Sequence, residues 1–233
     1  MLTSMIYWLS RPMIGLYGRM LKLDVVRHER LPKGPKIITP NHPTTSDPFL
    51  ATYALREPSR TLVIGHAFDV PGFGAYLRAS GHIPVVEGEG RRAFEAAEAH
   101  LRNGGTLILF PEGHLSPREG GFLEPHTGAA RLALMTGAPI VPMGISVSPR
   151  GLWHMESDIG DEWVASRWAL RGPYGITVGR PLHLTGNIED HIFVKMASRR
   201  IMQHIRELAY ESQERLQAPY LWPSILEPLV PVR

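Results

Sequence analysis

The chain has 233 residues, of which 43% are hydrophobic and 20% charged; this composition suits a packed core and favours one folded domain over two. The absence of cysteine excludes disulfides, thiolate catalysis and cysteine-ligated zinc. A net charge of +3 is too small to indicate nucleic-acid binding, but it suits an anionic membrane surface or an anionic substrate.

Residues 1–27 form a segment that is both apolar and basic, and it carries tryptophan and tyrosine. Arg11, Arg19 and Lys22 are spaced so that they lie at the edge of an apolar helical surface. Such a segment is typical of helices that lie in a membrane interface, and Pro12 predicts a kink or a division into two short helices. The alternative is a helix that packs on the protein's own core. A conventional membrane span is not predicted, because the sequence has no run of about 18 apolar residues.

Between residues 36 and 148 short apolar runs alternate with helical patterns, which is typical of βαβ units. We therefore predict an α/β fold, with a mixed, largely parallel sheet flanked by helices, for a domain at residues 28–217 that follows the interface helices. Predicted strands cover residues 36–40, 60–67, 82–86, 106–110 and 138–148, and predicted helices cover residues 47–57, 72–81, 91–105 and 127–137.

The rest of the chain is less regular. Residues 149–173 contain three tryptophans but are predicted to be a loose, irregular stretch. A last strand is predicted at residues 174–184 and a long helix with balanced charges at residues 188–217. The proline-rich tail at residues 218–233 is predicted to be extended, where it can touch a membrane or a partner.

His42 and Asp47 stand just after the first strand of the alternating region. Residues five apart do not share a helix face, but the prolines beside both residues favour a turn that folds the carboxylate onto the imidazole. An aspartate on one ring nitrogen would fix the tautomer and leave the other nitrogen free to take a proton from a substrate hydroxyl. The alternative is an ordinary helix start, in which Asp47 or Ser46 caps the helix and His42 is a loop residue.

A second polar motif, PEGHLS, follows the strand at residues 106–110. Its candidate functional residues are Glu112, Gly113, His114 and Ser116. In sheets of this kind active groups collect beyond the carboxyl ends of the strands, so the two motifs are predicted to meet at one edge of the sheet.

Four stretches, NHPTTSDPF, SGHIPVV, LILFPEGHLS and APIVPMGI, stand in the order and spacing of the four blocks of the glycerolipid acyltransferases. The chain resembles this family of His-x4-Asp enzymes, whose type member is 1-acylglycerol-3-phosphate O-acyltransferase, over about residues 36–145. The resemblance implies transfer of an acyl group from acyl-CoA or acyl carrier protein to the hydroxyl of a lysophospholipid or related glycerolipid. It implies that His42 is the base, that Asp47 orients the base, and that Glu112 and its neighbours in the third block bind or position the acceptor.

The same resemblance implies a membrane-associated enzyme, peripheral or monotopic, held at the cytoplasmic face by its N-terminal helices. Its partners would be a membrane lipid and the acyl-CoA or carrier-protein donor. Neither a cofactor nor a metal is implied, because a thioester is already activated and the tetrahedral oxyanion needs only hydrogen-bond donors.

The sequence departs from the family at cationic positions. The third block usually continues with Thr-Arg, where this chain has His114 and Leu115. An arginine contact to phosphate contributes about 1.5–3 kcal/mol as a charged hydrogen bond, so its loss affects an acceptor that carries phosphate. Arg91 and Arg92 can compensate as substrate-binding residues, or they are simply solvated. We therefore predict either an acceptor without phosphate or a phosphate that is held differently.

Other classes of protein fit less well. The chain has no Gly-x-Ser-x-Gly nucleophile motif, no His-Glu-x-x-His spacing for zinc, and no nucleotide-binding glycine loop. The remaining alternative is a membrane-bound protein of the same fold that has lost catalysis, and the retained His42–Asp47 pair favours an enzyme.

Overall fold

The computed structural model describes residues 2–159 and 162–216, so the tail predicted at residues 218–233 lies outside the described residues. The helices are α1 (Leu2–Met20), α2 (Asp47–Leu55), α3 (Phe73–Ala79), α4 (Gly90–Arg102), α5 (Gly128–Thr136) and α6 (His191–Leu216). The strands are β1 (Leu23–Arg27), β2 (Lys36–Pro40), β3 (Arg60–Ile64), β4 (Ile83–Val85), β5 (Thr106–Ile108), β6 (Ile140–Val147), β7 (Leu152–Ile159), β8 (Glu162–Ala169) and β9 (Tyr174–Val178).

Seven strands form one sheet in the order β1-β9-β6-β2-β5-β3-β4. The five strands from β6 to β4 are parallel to one another, and β9 and β1 run in the opposite direction at one edge. The predicted α/β fold with a mixed, largely parallel sheet is therefore confirmed. Because β2 and β5 are parallel neighbours, the polar motifs that follow them emerge side by side at the same edge of the sheet.

Helices cover both faces of the sheet, which explains why the central strands β2 and β6 are buried along their whole length. Every residue of β2 and β6 is buried. On one face the core includes side chains of α4, α5 and α6, and on the other it includes side chains of α1 and α2. The α6 helix lies directly on β6 at Gly144, where a Cβ atom would come within 2.0 Å of the Ala209 backbone nitrogen.

The N-terminal segment differs from its prediction in two ways. Pro12 does not divide it: α1 is one helix, and residues on both sides of the proline, Tyr7 and Ile14, are buried, so packing offsets the lost backbone hydrogen bond. Residues 23–27 are not helical either. They form the edge strand β1, which is parallel to β9, a pairing with a distant segment that local sequence does not reveal.

The helix α1 has two different faces, and the first matches the alternative of a helix packed on the protein's own core. One face docks on the core, where Arg11 donates a hydrogen bond to the Tyr53 carbonyl oxygen (3.2 Å) and stacks on the Tyr53 ring. The other face exposes large apolar side chains, namely Met5, Trp8, Leu9, Met13, Leu16 and Met20. None of the helices in the described part of the chain is both long enough and apolar enough to cross a membrane.

The stretch at residues 149–173 is not irregular as predicted. Strands β7 and β8 form an antiparallel pair, with Leu152 opposite Ala169, separate from the main sheet. The predicted strand at residues 174–184 is also shorter and ends at Val178. The hairpin is held by contacts between β8 and the turn after β2, so its stability depends on tertiary partners that periodicity cannot indicate.

Candidate active site

The first polar motif forms a tight turn between β2 and α2. The turn brings the imidazole of His42 onto the carboxylate of Asp47, with Nδ1 and Oδ2 2.8 Å apart, as the two flanking prolines predicted. Asp47 is fully buried, while 18% of the His42 side chain is exposed. The His42 ring stacks on Phe110, with centroids 4.1 Å apart, and its Nε2 atom has no hydrogen-bond partner among the described residues. The ring is thus fixed on one side and open on the other.

Asp47 is held by three further donors. Its Oδ2 accepts a hydrogen bond from the Thr44 backbone N–H (2.8 Å), and its Oδ1 accepts from the Thr44 hydroxyl and from the Tyr174 hydroxyl (2.5 Å). Burial, together with the nearby Asp47 charge, raises the pKa of Tyr174 well above its ordinary value, so this hydroxyl keeps its proton and donates it. Four donors around one buried carboxylate fix its orientation toward His42.

The helix-cap interpretation of this turn is wrong. Ser46 occupies the cap position of α2 but makes no cap hydrogen bond. Its Oγ instead accepts a hydrogen bond from the Ala169 backbone N–H of β8 (3.1 Å) and lies 2.6 Å from the Tyr17 hydroxyl of α1. The residue that starts the helix therefore links three elements around the turn.

The second motif meets the first, as predicted from the order of the strands. The Ser116 backbone N–H donates to the His42 carbonyl oxygen (2.8 Å), and the His42 backbone N–H donates to Glu112 Oε1 (3.0 Å). Glu112 is fully buried, and it also accepts from the Ser116 hydroxyl (2.8 Å) and the Leu123 backbone N–H (2.8 Å). Burial raises the pKa of Glu112 to about 7, against the opposing effect of these hydrogen bonds. Glu112 therefore ties the backbone of His42 to the loop that follows β5.

The remaining sequence-predicted residues lie in different surroundings. Gly113 and His114 are exposed at the start of the loop, and Gly113 has a φ of 71°, a conformation that favours glycine. Arg91 and Arg92 lie on the exposed first turn of α4, after the far edge strand β4, and pair with Glu95 (2.8 Å) and Glu89 (2.7 Å). The structure does not bring these two arginines into the hydrogen-bonded cluster of His42, Asp47 and Glu112.

Sequence reasoning missed several residues of the cluster. Asn41 joins the end of β2 to β6 by exchanging two hydrogen bonds with the backbone of Ile145 (2.9 and 2.7 Å). Tyr174 reaches Asp47 from β9, and Arg167 reaches the turn from β8. A buried asparagine directly before His42 was a signal in the sequence, but no local pattern indicates Tyr174 or Arg167. Within residues 2–159 and 162–216, no group of three or more acidic or histidine side chains could hold a metal ion.

Comparisons with known proteins concern the family and the fold of this chain. A family model described as Acyltransferase matches residues 22–146, which is more than half of the chain. The fold is similar to the crystal structure of the 1-acyl-sn-glycerophosphate (LPA) acyltransferase PlsC from Thermotoga maritima, with a TM-score of 0.59 and 21% sequence identity, over 85% of this chain and 80% of that chain. No curated protein matches the sequence. Because the family model spans both polar motifs and the strands that carry them, the chain belongs to the acyltransferase family.

Proposed function

We propose that this acyltransferase moves an acyl group from a thioester, acyl-CoA or acyl carrier protein, to the hydroxyl of a lysophospholipid or related glycerolipid. The observation that carries the proposal is the His42–Asp47 contact of 2.8 Å, with the second ring nitrogen open on a partly exposed imidazole. A buried, fully hydrogen-bonded carboxylate is suited to orient a general base and to support its charge when the base takes a proton.

In the proposed reaction, Nε2 of His42 accepts the proton of the acceptor hydroxyl while the hydroxyl oxygen attacks the thioester carbon. The new C–O bond gives a tetrahedral oxyanion. When the oxyanion collapses, the C–S bond breaks and the thiolate leaves with its electron pair. The imidazolium then returns the proton to sulfur, so the products are the acylated lipid and a free thiol.

Glu112 supports this proposal through position rather than through contact with substrate. Both of its oxygens are engaged by protein donors, and it is fully buried. It keeps the backbone of His42 against Ser116, while exposed Gly113 and His114 lie beside it, where an acceptor can reach them.

We also propose that the enzyme works on a membrane surface, peripherally and at the cytoplasmic face. The exposed apolar face of α1 supports this, with Leu9 and Met13 each about 70% exposed. Tyr17 connects the same helix to the active-site turn, since its hydroxyl donates to the Ala169 carbonyl oxygen (2.6 Å). A helix bound at the surface would thus place the site close to its lipid acceptor.

The test of the reaction is release of free thiol from acyl-CoA in the presence of a panel of lysolipids, with the product identified by mass spectrometry. His42→Ala should abolish release. The matched control is His183→Ala, because His183 is exposed and follows β9 at the opposite edge of the sheet, next to the bridge between Leu182 and Ile140. Equal release by wild type and His42→Ala would contradict the proposal and favour a member of the family that has lost catalysis.

A further inference from the structure

Arg167 of β8 is the buried cation of the active site. It is only 6% exposed, and its guanidinium joins the two motif loops: Nη1 donates to the Pro43 carbonyl oxygen and Nη2 to the Ser116 carbonyl oxygen, both at 3.1 Å. Its backbone is fixed as well, since it exchanges hydrogen bonds with Thr45 (2.7 and 2.9 Å). The side chain is therefore held next to the residues that flank His42.

The hydrogen bonds of Arg167 go to carbonyl oxygens, and no carboxylate of the described residues forms an ion pair with it. Burial lowers its pKa, and the charges of Asp47, Glu119 and Glu112 raise it without a direct contact. Its Nε atom is buried without a hydrogen-bond partner in the described part of the chain, and the guanidinium has more N–H donors than the two carbonyls use. A buried cation without a paired anion is destabilising, so such an arrangement points to a ligand that supplies the anion.

Two other basic side chains, Arg118 and His154, lie close to Arg167. Arg118 is two residues beyond Ser116 and pairs with Glu156 of β7 at 3.2 Å, and His154 lies on the same strand as Glu156. Burial and the Arg118 charge lower the pKa of Arg167, while burial and the charges of both arginines lower the pKa of His154. Arg118 and Arg167 are thus two like charges close together on the hairpin side of the site, and an anion bound there would relieve their repulsion.

We propose that Arg167 binds the phosphate group of the acceptor lipid, a proposal that rests on the proposed lysolipid acceptor. A guanidinium is suited to phosphate because it presents several N–H donors in one plane. The sequence left two alternatives, an acceptor without phosphate and a phosphate that is held differently. The proposal selects the second: an arginine of the hairpin binds the phosphate, in place of the arginine that the family usually has directly before Ser116.

The position of Arg167 favours the acceptor over the donor as the source of the phosphate. Its two hydrogen-bonded partners are the residue after His42 and a residue whose N–H donates to His42. In a glycerol phosphate, the hydroxyl to be acylated and the phosphate ester are on neighbouring carbons, so a base and a phosphate-binding group must be close together. The phosphates of acyl-CoA are separated from the reacting thioester by the whole pantetheine arm.

The test uses two lysolipid analogues without a reactive hydroxyl, 1-oleoyl-2-deoxyglycerol 3-phosphate and the corresponding 3-methyl ether, in which a methoxy group replaces the phosphate. Their Kd values are measured by titration calorimetry in non-ionic detergent micelles, so the result does not depend on activity. Wild type should bind the phosphate-bearing analogue tighter by on the order of 10- to 100-fold. Arg167→Met should remove this preference, and Arg167→Lys, which keeps the charge but not the planar donors, should retain only part of it.

The ratio of the two Kd values separates binding from a purely structural role. If Arg167 only clamps the two loops, its replacement weakens both analogues equally and leaves the ratio unchanged, which would overturn the proposal. Equal binding of both analogues by wild type, or binding of neither, would overturn it too. CoA serves as the donor probe, and a loss in Arg167→Met that falls on CoA instead would also refute the assignment.

The matched control is Arg180→Met. Arg180 is exposed, pairs with Glu29 (3.3 Å) and follows β9 at the edge of the sheet opposite the site, so the preference for phosphate should persist. Failure of this binding proposal can be distinguished from failure of the proposed reaction. If the protein releases no thiol but still prefers the phosphate-bearing analogue through Arg167, the reaction is refuted and the binding site is not.

Discussion

Replacement of Glu112 by glutamine tests two opposing effects on a buried carboxyl group. Hydrogen bonds from the protein stabilise its ionised form, and burial destabilises that form. The protein donates three hydrogen bonds to it, from the His42 N–H and the Ser116 hydroxyl to Oε1 and from the Leu123 N–H to Oε2. A glutamine has one acceptor oxygen, so at least one of these donors loses its partner. With the carboxylate ionised at pH 8, we expect Glu112→Gln to lower the free energy of unfolding by about 1–3 kcal/mol.

The pH dependence of this difference follows from the pKa of Glu112. Burial raises it from the ordinary value of 4.5 to about 7, so the folded state holds the proton more tightly than the unfolded chain does. The stability contributed by this proton is fully present below pH 4.5 and is lost as the pH rises through 7. One pKa unit corresponds to about 1.4 kcal/mol, so wild type should lose about 2.5 kcal/mol from this group between pH 5 and pH 8. Glu112→Gln has no such titration.

The assay is urea unfolding followed by tryptophan fluorescence, for both proteins at pH 5 and pH 8. We define the gap as the free energy of unfolding of wild type minus that of Glu112→Gln. This gap should be about 2.5 kcal/mol larger at pH 5 than at pH 8. Glu214→Gln, which removes an exposed carboxylate of α6, is the control and should show a gap that does not change in this way. A gap that is larger at pH 8 would refute the reasoning, because it would mean that the three donors outweigh burial.

Three other perturbations test the site and the membrane face. Asp47→Asn should lower kcat for thiol release on the order of 10³- to 10⁴-fold, because an amide NH₂ facing Nδ1 favours the wrong tautomer of the base. Tyr174→Phe should lower the free energy of unfolding by about 1.5–3 kcal/mol in urea, since it removes a hydroxyl that donates to a buried carboxylate (2.5 Å) and leaves almost no cavity. Leu9→Glu combined with Met13→Glu should weaken sedimentation with anionic vesicles at least about tenfold, because an apolar side chain of this size contributes about 1.5–3 kcal/mol when buried.

Each of these three tests has an outcome that would contradict it, and two of them have a control variant within the chain. An unchanged kcat in Asp47→Asn would argue against His42 as an oriented base. Tyr76→Phe removes a hydroxyl that has no hydrogen bond in the described structure, and equal losses in it and in Tyr174→Phe would show that the contact to Asp47 is not the cause. Glutamates at Ile192 and Met196, an equally spaced and exposed apolar pair on α6, should leave vesicle binding intact. Equal weakening by the two pairs would mean that α1 is not the membrane face.

The sequence by itself determined the parts of this protein that depend on near neighbours in the chain. The alternation of apolar runs and helical patterns predicted the α/β fold, because periodicity reports which face of each element is buried. The contact between His42 and Asp47 was also predictable, since both residues lie in one turn and prolines restrict its backbone. That PEGHLS would meet this turn followed from parallel strands, whose carboxyl ends share one edge of the sheet.

Only the tertiary structure decided how the pair is supported. The fourth donor to Asp47 comes from Tyr174 of β9, and the cation beside His42 is Arg167 of a hairpin that the sequence predicted to be irregular. The physical reason is that a buried polar group must find a partner, but any residue that is near in space can provide it. Local patterns record whether a residue is buried; they carry no information about which distant side chain completes its hydrogen bonds.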